Sequence, residues 1–222
     1  MLAMLLGTTA IMAPRPSGSA DLEQLYAASE VRAAEKAGQW GAGRYRVTVA
    51  PDGSPVRCQA IMSAGDIGFG TAMCASLMSH VRFKPAQDGA GTRMYGTYSE
   101  SFGYLPKGSQ PRAPLTFEAW FDVNHLTVPK GWPEMGRVRA DVLVDPDGRI
   151  SNCVAKMEFG PPQLQSLTCP QIAAAMHPAA AMDAAGEKVA SVQMMEIVFA
   201  GPGAEPHATP VVQPSSASPL SR

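Results

Sequence analysis

The residues with the plainest chemistry are four cysteines, Cys58, Cys74, Cys153 and Cys169. They form two pairs of equal spacing, 58 to 74 and 153 to 169. That spacing fits no CxxC redox motif, and it fits no common zinc pattern, which brings together two close cysteine pairs or neighbouring histidines. In an exported chain four cysteines make two disulfides, and three pairings are formally open.

A repeat chooses among them. Shifting the chain by 95 positions carries Pro51-Asp52-Gly53 onto Pro146-Asp147-Gly148, Cys58 onto Cys153 and Cys74 onto Cys169. The same shift carries Asp88 onto Asp183 and Gly91 onto Gly186, and Val47 and Val49 onto Val142 and Val144, without a gap. Two copies of one small unit imply one bridge in each, Cys58–Cys74 and Cys153–Cys169. Closing loops of this length stabilises a small unit by roughly 3 kcal/mol.

The remaining candidates for chemistry do not assemble. His80, His125, His177 and His207 fall on no common repeat position, and no HExxH, GxSxG or phosphate-binding loop motif occurs. Gly65, Gly68 and Gly70 precede a helical stretch but have no matching set in the second copy, so they read as a loop. Asp52, Asp147, Asp88 and Asp183 belong to turns, and Met73, Met78, Met194 and Met195 to the core. No catalytic, cofactor or metal site is expected, and the chain reads as a non-enzyme. A thiol oxidoreductase is the enzymatic rival, and free thiols of low pKa would be its mark.

Within each copy the pattern predicts strand, strand, helix, strand. Residues 45–49 and 140–144 alternate, Pro-Asp-Gly supplies the turn, and residues 55–62 and 150–157 return with Cys58, Ala60, Met62 and Cys153, Ala155, Met157 sharing the inner face. Cys74, Leu77, Met78 and Val81 then stand on one helical face, as do Cys169, Ile172, Ala173 and Met176, with the second regular helix starting near Pro170. Residues 94–105 and 188–200 supply the last strands. The fold class is therefore α+β: two tandem small modules, each an antiparallel sheet covered by a helix on one face.

Residues 1–20 begin with the apolar run MLAMLLGTTAIMA and continue to small residues at Ser17–Ala20, a signal-peptide pattern without the usual leading Lys or Arg. Module one then covers 21–105 with a helix at 21–39, 106–114 is a Pro-rich linker, module two covers 115–200, and 201–222 is a tail too poor in large apolar residues to fold. Residues 115–134 do not repeat the first copy's helix and read as an aromatic strand and loop. A net charge of −1 points to no nucleic-acid surface. Localisation is periplasmic or secreted, with no membrane span after processing.

The first copy shows Val47-Thr48-Val49-Ala50-Pro51-Asp52-Gly53, then Ser63-Ala64-Gly65, then Arg82-Phe83-Lys84-Pro85-Ala86. This succession resembles the C-terminal domain family of TonB energy transducers over 44–104 and, through Pro146-Asp147-Gly148, Gly160 and the cysteines, over 139–200. The paired cysteines resemble a disulfide-bearing branch of that family. The resemblance implies a periplasmic domain that binds an outer-membrane transporter peptide, or another envelope protein, by strand addition to the edge of its final strand. The edge residues would be Thr97, Ser99, Ser101, Met194, Glu196 and Val198. With no anchor segment in this sequence, binding without force transmission is the expectation; a structural or assembly protein of the envelope is the alternative. Non-reducing peptide mapping is expected to recover Cys58 with Cys74 and Cys153 with Cys169, and a bridge between the copies would overturn the two-module reading.

Overall fold

A computed structural model describes residues 10–18, 36–38, 41–65, 69–104, 123–127 and 135–200. The expected linker and tail, most of the expected N-terminal helix and residues 1–9 of the leader lie outside the described residues. The strands are β1 (Arg15–Pro16), β2 (Gly41–Val49), β3 (Pro55–Gly65), then helix α1 (Phe69–His80), β4 (Phe83–Lys84), β5 (Ala86–Gln87) and β6 (Arg93–Tyr104). They continue as β7 (Val123–Thr127), β8 (Met135–Val144), β9 (Ile150–Phe159), helix α2 (Gln163–Ala175), β10 (Ala181–Met182), β11 (Lys188–Val189) and β12 (Ser191–Ala200). The fold is mixed α/β, with two helices and mostly strand among the described residues.

The 95-residue offset is visible in the turns. Gly53 and Gly148 have φ of +87° and +84°, and each donates its N–H to the carbonyl three residues back, Ala50 and Asp145. Only glycine takes this conformation without a steric cost. The aspartates differ in detail. Asp52 holds the first turn through Ser54 N–H, whereas Asp145, and not the repeat-matched Asp147, accepts from Asp147 and Arg149 N–H in the second. Asp88 and Asp183 do hold equivalent turns, accepting from Ala90 and Thr92 and from Ala185 and Glu187.

Both disulfides join the returning strand to the helix, Cys58 to Cys74 and Cys153 to Cys169. The helical faces lie slightly to one side of the predicted ones. Met73, Leu77 and Val81 are buried beneath α1, and Leu164, Thr168 and Ile172 beneath α2, so each cysteine stands half-buried at the margin of its stripe and Ala173 is exposed. Helix α2 does not begin near Pro170; it starts at Gln163 and runs through Pro170. Its first turn is satisfied by Leu164 and Gln165 N–H to the Pro161 and Pro162 carbonyls. Pro170 removes the bond to Ser166, an exposed residue whose carbonyl can turn to water, and the buried face and the disulfide hold the turn in place.

β-Bulges interrupt the hairpins. Val56 and Ser151, at equivalent positions, are each skipped in the register. A second bulge falls at Ile61 in the first hairpin but at Glu158 in the second. The bulge at Ile61 breaks the alternation before Met62, and Ala60, opposite Tyr45, is exposed, while Cys153, Ala155 and Met157 all pack on the second core as the period predicts.

The sequence predicts two separate antiparallel sheets; the structure joins the halves into one sheet of order β3-β2-β6-β12-β8-β9. The seam is parallel, with Tyr95, Gly96 and Thr97 opposite Ser191, Val192 and Gln193. β7 pairs in parallel with Glu196–Ala200 further along β12. Gly96 and Val192 are register partners and share a face. Tyr98, two residues from Gly96, packs with α1, whereas Ile197, five residues from Val192, packs beneath α2. The two helices thus cover opposite faces of the joined sheet.

Residues 10–18, read from the sequence as the end of a leader, are part of this fold. Ile11 and Ala13 are buried in a third apolar cluster with Ala86 and Val192. Apolar residues within a signal core and within a folded core look alike in composition, which is why the sequence did not separate the two.

Gly53→Ala tests the repeat geometry. A Cβ there would stand 2.2 Å from the Phe83 carbonyl oxygen, whereas at Gly186, with nearly the same φ, it would meet nothing within 4 Å. Gly186→Ala is expected to cost about 1 kcal/mol for the backbone conformation alone, and Gly53→Ala more than about 2 kcal/mol, measured by urea denaturation.

Candidate functional site

Beyond Thr97 and Gln193 the two seam strands part, and a cleft of about 500 Å³ opens in the fork. Strand alternation supplies its walls. On β2, Tyr45 and Val47 point into the first core, leaving Arg44 and Arg46 on the other face. On β8, Val138 and Ala140 point into the second core, leaving Arg137 and Arg139. Arg15 and Pro16 of β1 close one side, and Pro178 and Ala179, which follow α2, line another part of the wall. Five arginines and two glutamates, Glu100 and Glu196, line the cleft of a chain whose net charge is −1.

The ladder partners of the arginines differ between the halves. Arg137 pairs with Glu196 through Nη2 and Nε, and its Nε lies 3.1 Å from Glu158 Oε2. Across the β8–β12 ladder Arg139 faces Glu196 and Asp141 faces Met194. Across the β2–β6 ladder the corresponding partners are hydroxyls: Arg44 faces Ser101 and Arg46 faces Ser99. Tyr98 Oη donates to Glu100 Oε2 at 2.6 Å, and Gln193 Nε2 donates to the Ala179 carbonyl, fixing the floor near the seam. The two walls therefore differ in their ladder partners, and the second adds the apolar side chains of Met194 and Met195. Guanidinium groups so placed suit carboxylate or phosphate, which they bind through paired N–H donors.

Asp141 sits behind this wall, 7% exposed. Burial pushes its carboxyl above the usual range, against the pull of Arg139, of the Ala13 backbone N–H and of Lys156. Arg139 Nε is 3.9 Å from Oδ1, an ion pair without a hydrogen bond to that oxygen.

Five of the six residues expected at a binding edge, Thr97, Ser99, Ser101, Met194 and Glu196, line the cleft. Val198 does not; it lies further along β12, between Arg137 of β8 and His125 of β7. The final strands are also not the outer edges of the sheet; β3 and β9 are. Nor do the histidines converge. His80 ends α1 beside Ser79, His177 is exposed, His125 lies on β7, and His207 lies outside the described residues. Among the described residues no group of three or more metal-ligating side chains occurs. The sequence reading passed over the arginines. Their signal was Arg44 and Arg139, which stand at one repeat position, 95 apart, at the head of each copy.

No family model, curated protein or solved structure matches this chain.

For Asp141 the folded pKa lies above the unfolded one. Its contribution is then fully present below the unfolded pKa and is lost as pH rises through the raised folded value. Asp141→Asn keeps a carbonyl oxygen for the Ala13 amide without the charge. Its stability relative to wild type is expected to rise between about pH 4 and pH 7, read from urea midpoints. A flat or falling difference would show that burial does not govern this carboxyl.

Proposed function

We propose that the protein is a non-enzymatic, exported binding protein that takes an acidic, extended segment of an envelope partner into the fork between β6 and β12. The convergence of five arginines from both halves on one open cleft carries this reading. The arginines and the hydroxyls of Thr97, Ser99 and Ser101 equip the cleft for ion pairing and hydrogen bonding. The two disulfides fit an oxidising compartment, and no helix among the described residues is long and apolar enough to cross a membrane.

The halves are read as tandem modules like the TonB C-terminal domain, each strand, strand, helix, strand, fused edge to edge. In that resemblance the partner is an outer-membrane transporter peptide in the periplasm. One observation favours the second reading, an assembly protein that keeps the fold without transporter binding. Each final strand already meets the other at the seam, and β7 covers Glu196–Ala200.

The test titrates two labelled extended peptides, one alternating Glu with Val and one alternating Gln with Val, alongside an acidic transporter plug peptide. Saturable binding of the acidic probes, weakened at least about tenfold by the folded double variant Arg46→Gln, Arg139→Gln and by raised salt, is the expected result. Equal binding of the Gln peptide, or no binding at high micromolar concentration, overturns it.

A further inference from the structure

Residues 11–17 are bound to the body of the protein by contacts of several independent kinds. Met12 and Gln87 exchange backbone hydrogen bonds in both directions, at 2.9 and 3.0 Å. Arg15 and Pro16 pair antiparallel with Lys84 and Phe83, and Ser17 N–H reaches the Arg82 carbonyl at 2.9 Å. Ile11 is 1% exposed, in the cluster with Ala86 and Val192 that Met94, Leu143, Val154 and Met194 complete. These residues come from both halves, so the segment caps the seam itself.

Two features of the body fit this segment. A Cβ on Gly96 would lie 2.6 Å from Pro14 Cδ and 2.6 Å from Ala86 Cβ, so the seam glycine leaves room for the Pro14 ring. Asp141, a buried carboxylate, receives the Ala13 N–H. Without residues 11–17, Asp141 would lose this donor, and a seam lined by Ala86, Val192 and Leu143 would meet water.

We infer that residues 11–17 are a permanent strap of the mature protein, and that any cleavage which removes a leader falls before Ile11 rather than at Ser17–Ala20. The strap also places Arg15 in the wall of the arginine cleft, so leader removal and site formation are linked through one segment.

The full chain is expressed with export, and the purified protein is characterised by N-terminal sequencing and intact mass. A first residue at or before Ile11 is expected, whether or not a leader has been cut; a first residue anywhere after Ile11 overturns the inference. Hydrogen exchange on the same full-length preparation gives a second readout that needs no ligand. The Met12 and Ser17 amides are expected to exchange at least about a hundredfold more slowly than unstructured amides. Exchange of both at the unprotected rate overturns a permanent strap. Failure of the acidic peptides to bind would remove the proposed function and leave both of these results standing.

Discussion

The structure depends on a short parallel seam. Tyr95–Thr97 and Ser191–Gln193 are the only rungs between β6 and β12, and through them two hairpin-and-helix units become one sheet. Each strand would otherwise present a row of unsatisfied N–H and C=O groups, the feature that makes sheet edges prone to unwanted pairing. Equivalent strands that pair in parallel must have one unit flipped about an axis along the strands. That flip is why α1 and α2 cover opposite faces, and why each unit needs its own core and its own disulfide between strand and helix.

The same flip exposes the seam on the face where neither helix reaches it. Val192 and Met194 on β12 and Leu143 on β8 point away from α2, and α1 lies over the other half. The N-terminal segment fills that gap with Ile11 and Ala13. The shortness of the seam is equally consequential. A fully zipped pair would leave no fork; here β12 leaves β6 after Gln193 and takes β7 as its neighbour from Glu196.

Much of each unit was legible because its signals are local. The positive-φ glycines, the turn aspartates and the strand alternation are fixed by residues a few positions apart, and the cysteine pairing followed from the offset alone. Asp145 replacing Asp147 in the turn, and the bulges at Ile61 and Glu158, were hidden because several residues could satisfy the same backbone groups. The seam was not legible at all. Nothing in Tyr95-Gly96-Thr97 announces a parallel partner 96 residues on, and the N-terminal apolar run had two readings until Ala86 and Val192 were seen beside it. Gly96 was the one available hint, since a glycine inside a strand often marks close approach of another chain segment.

The site's polarity follows from where the two copies diverged. Arg44 and Arg139 occupy one repeat position, and so do their cross-strand partners, Ser101 and Glu196. The arginine is common to both positions and its partner is not: the second half places a carboxylate opposite it, and the first half a hydroxyl. At the next rung the divergence runs the same way, Arg46 opposite Ser99 against Asp141 opposite Met194. A hydroxyl and a carboxylate give a guanidinium different electrostatic surroundings, so the two walls of the cleft are chemically unlike. Met194 and Met195 add apolar surface to the β12 wall, where the matching positions of β6 carry Ser99 and Glu100. Two identical halves joined about a twofold axis along the strands would have offered an extended ligand two orientations of equal energy, related by half a turn about that axis. Divergence at Ser101/Glu196 and at Arg46/Asp141 removes that degeneracy while leaving the turns, cores and disulfides that build the cleft unchanged.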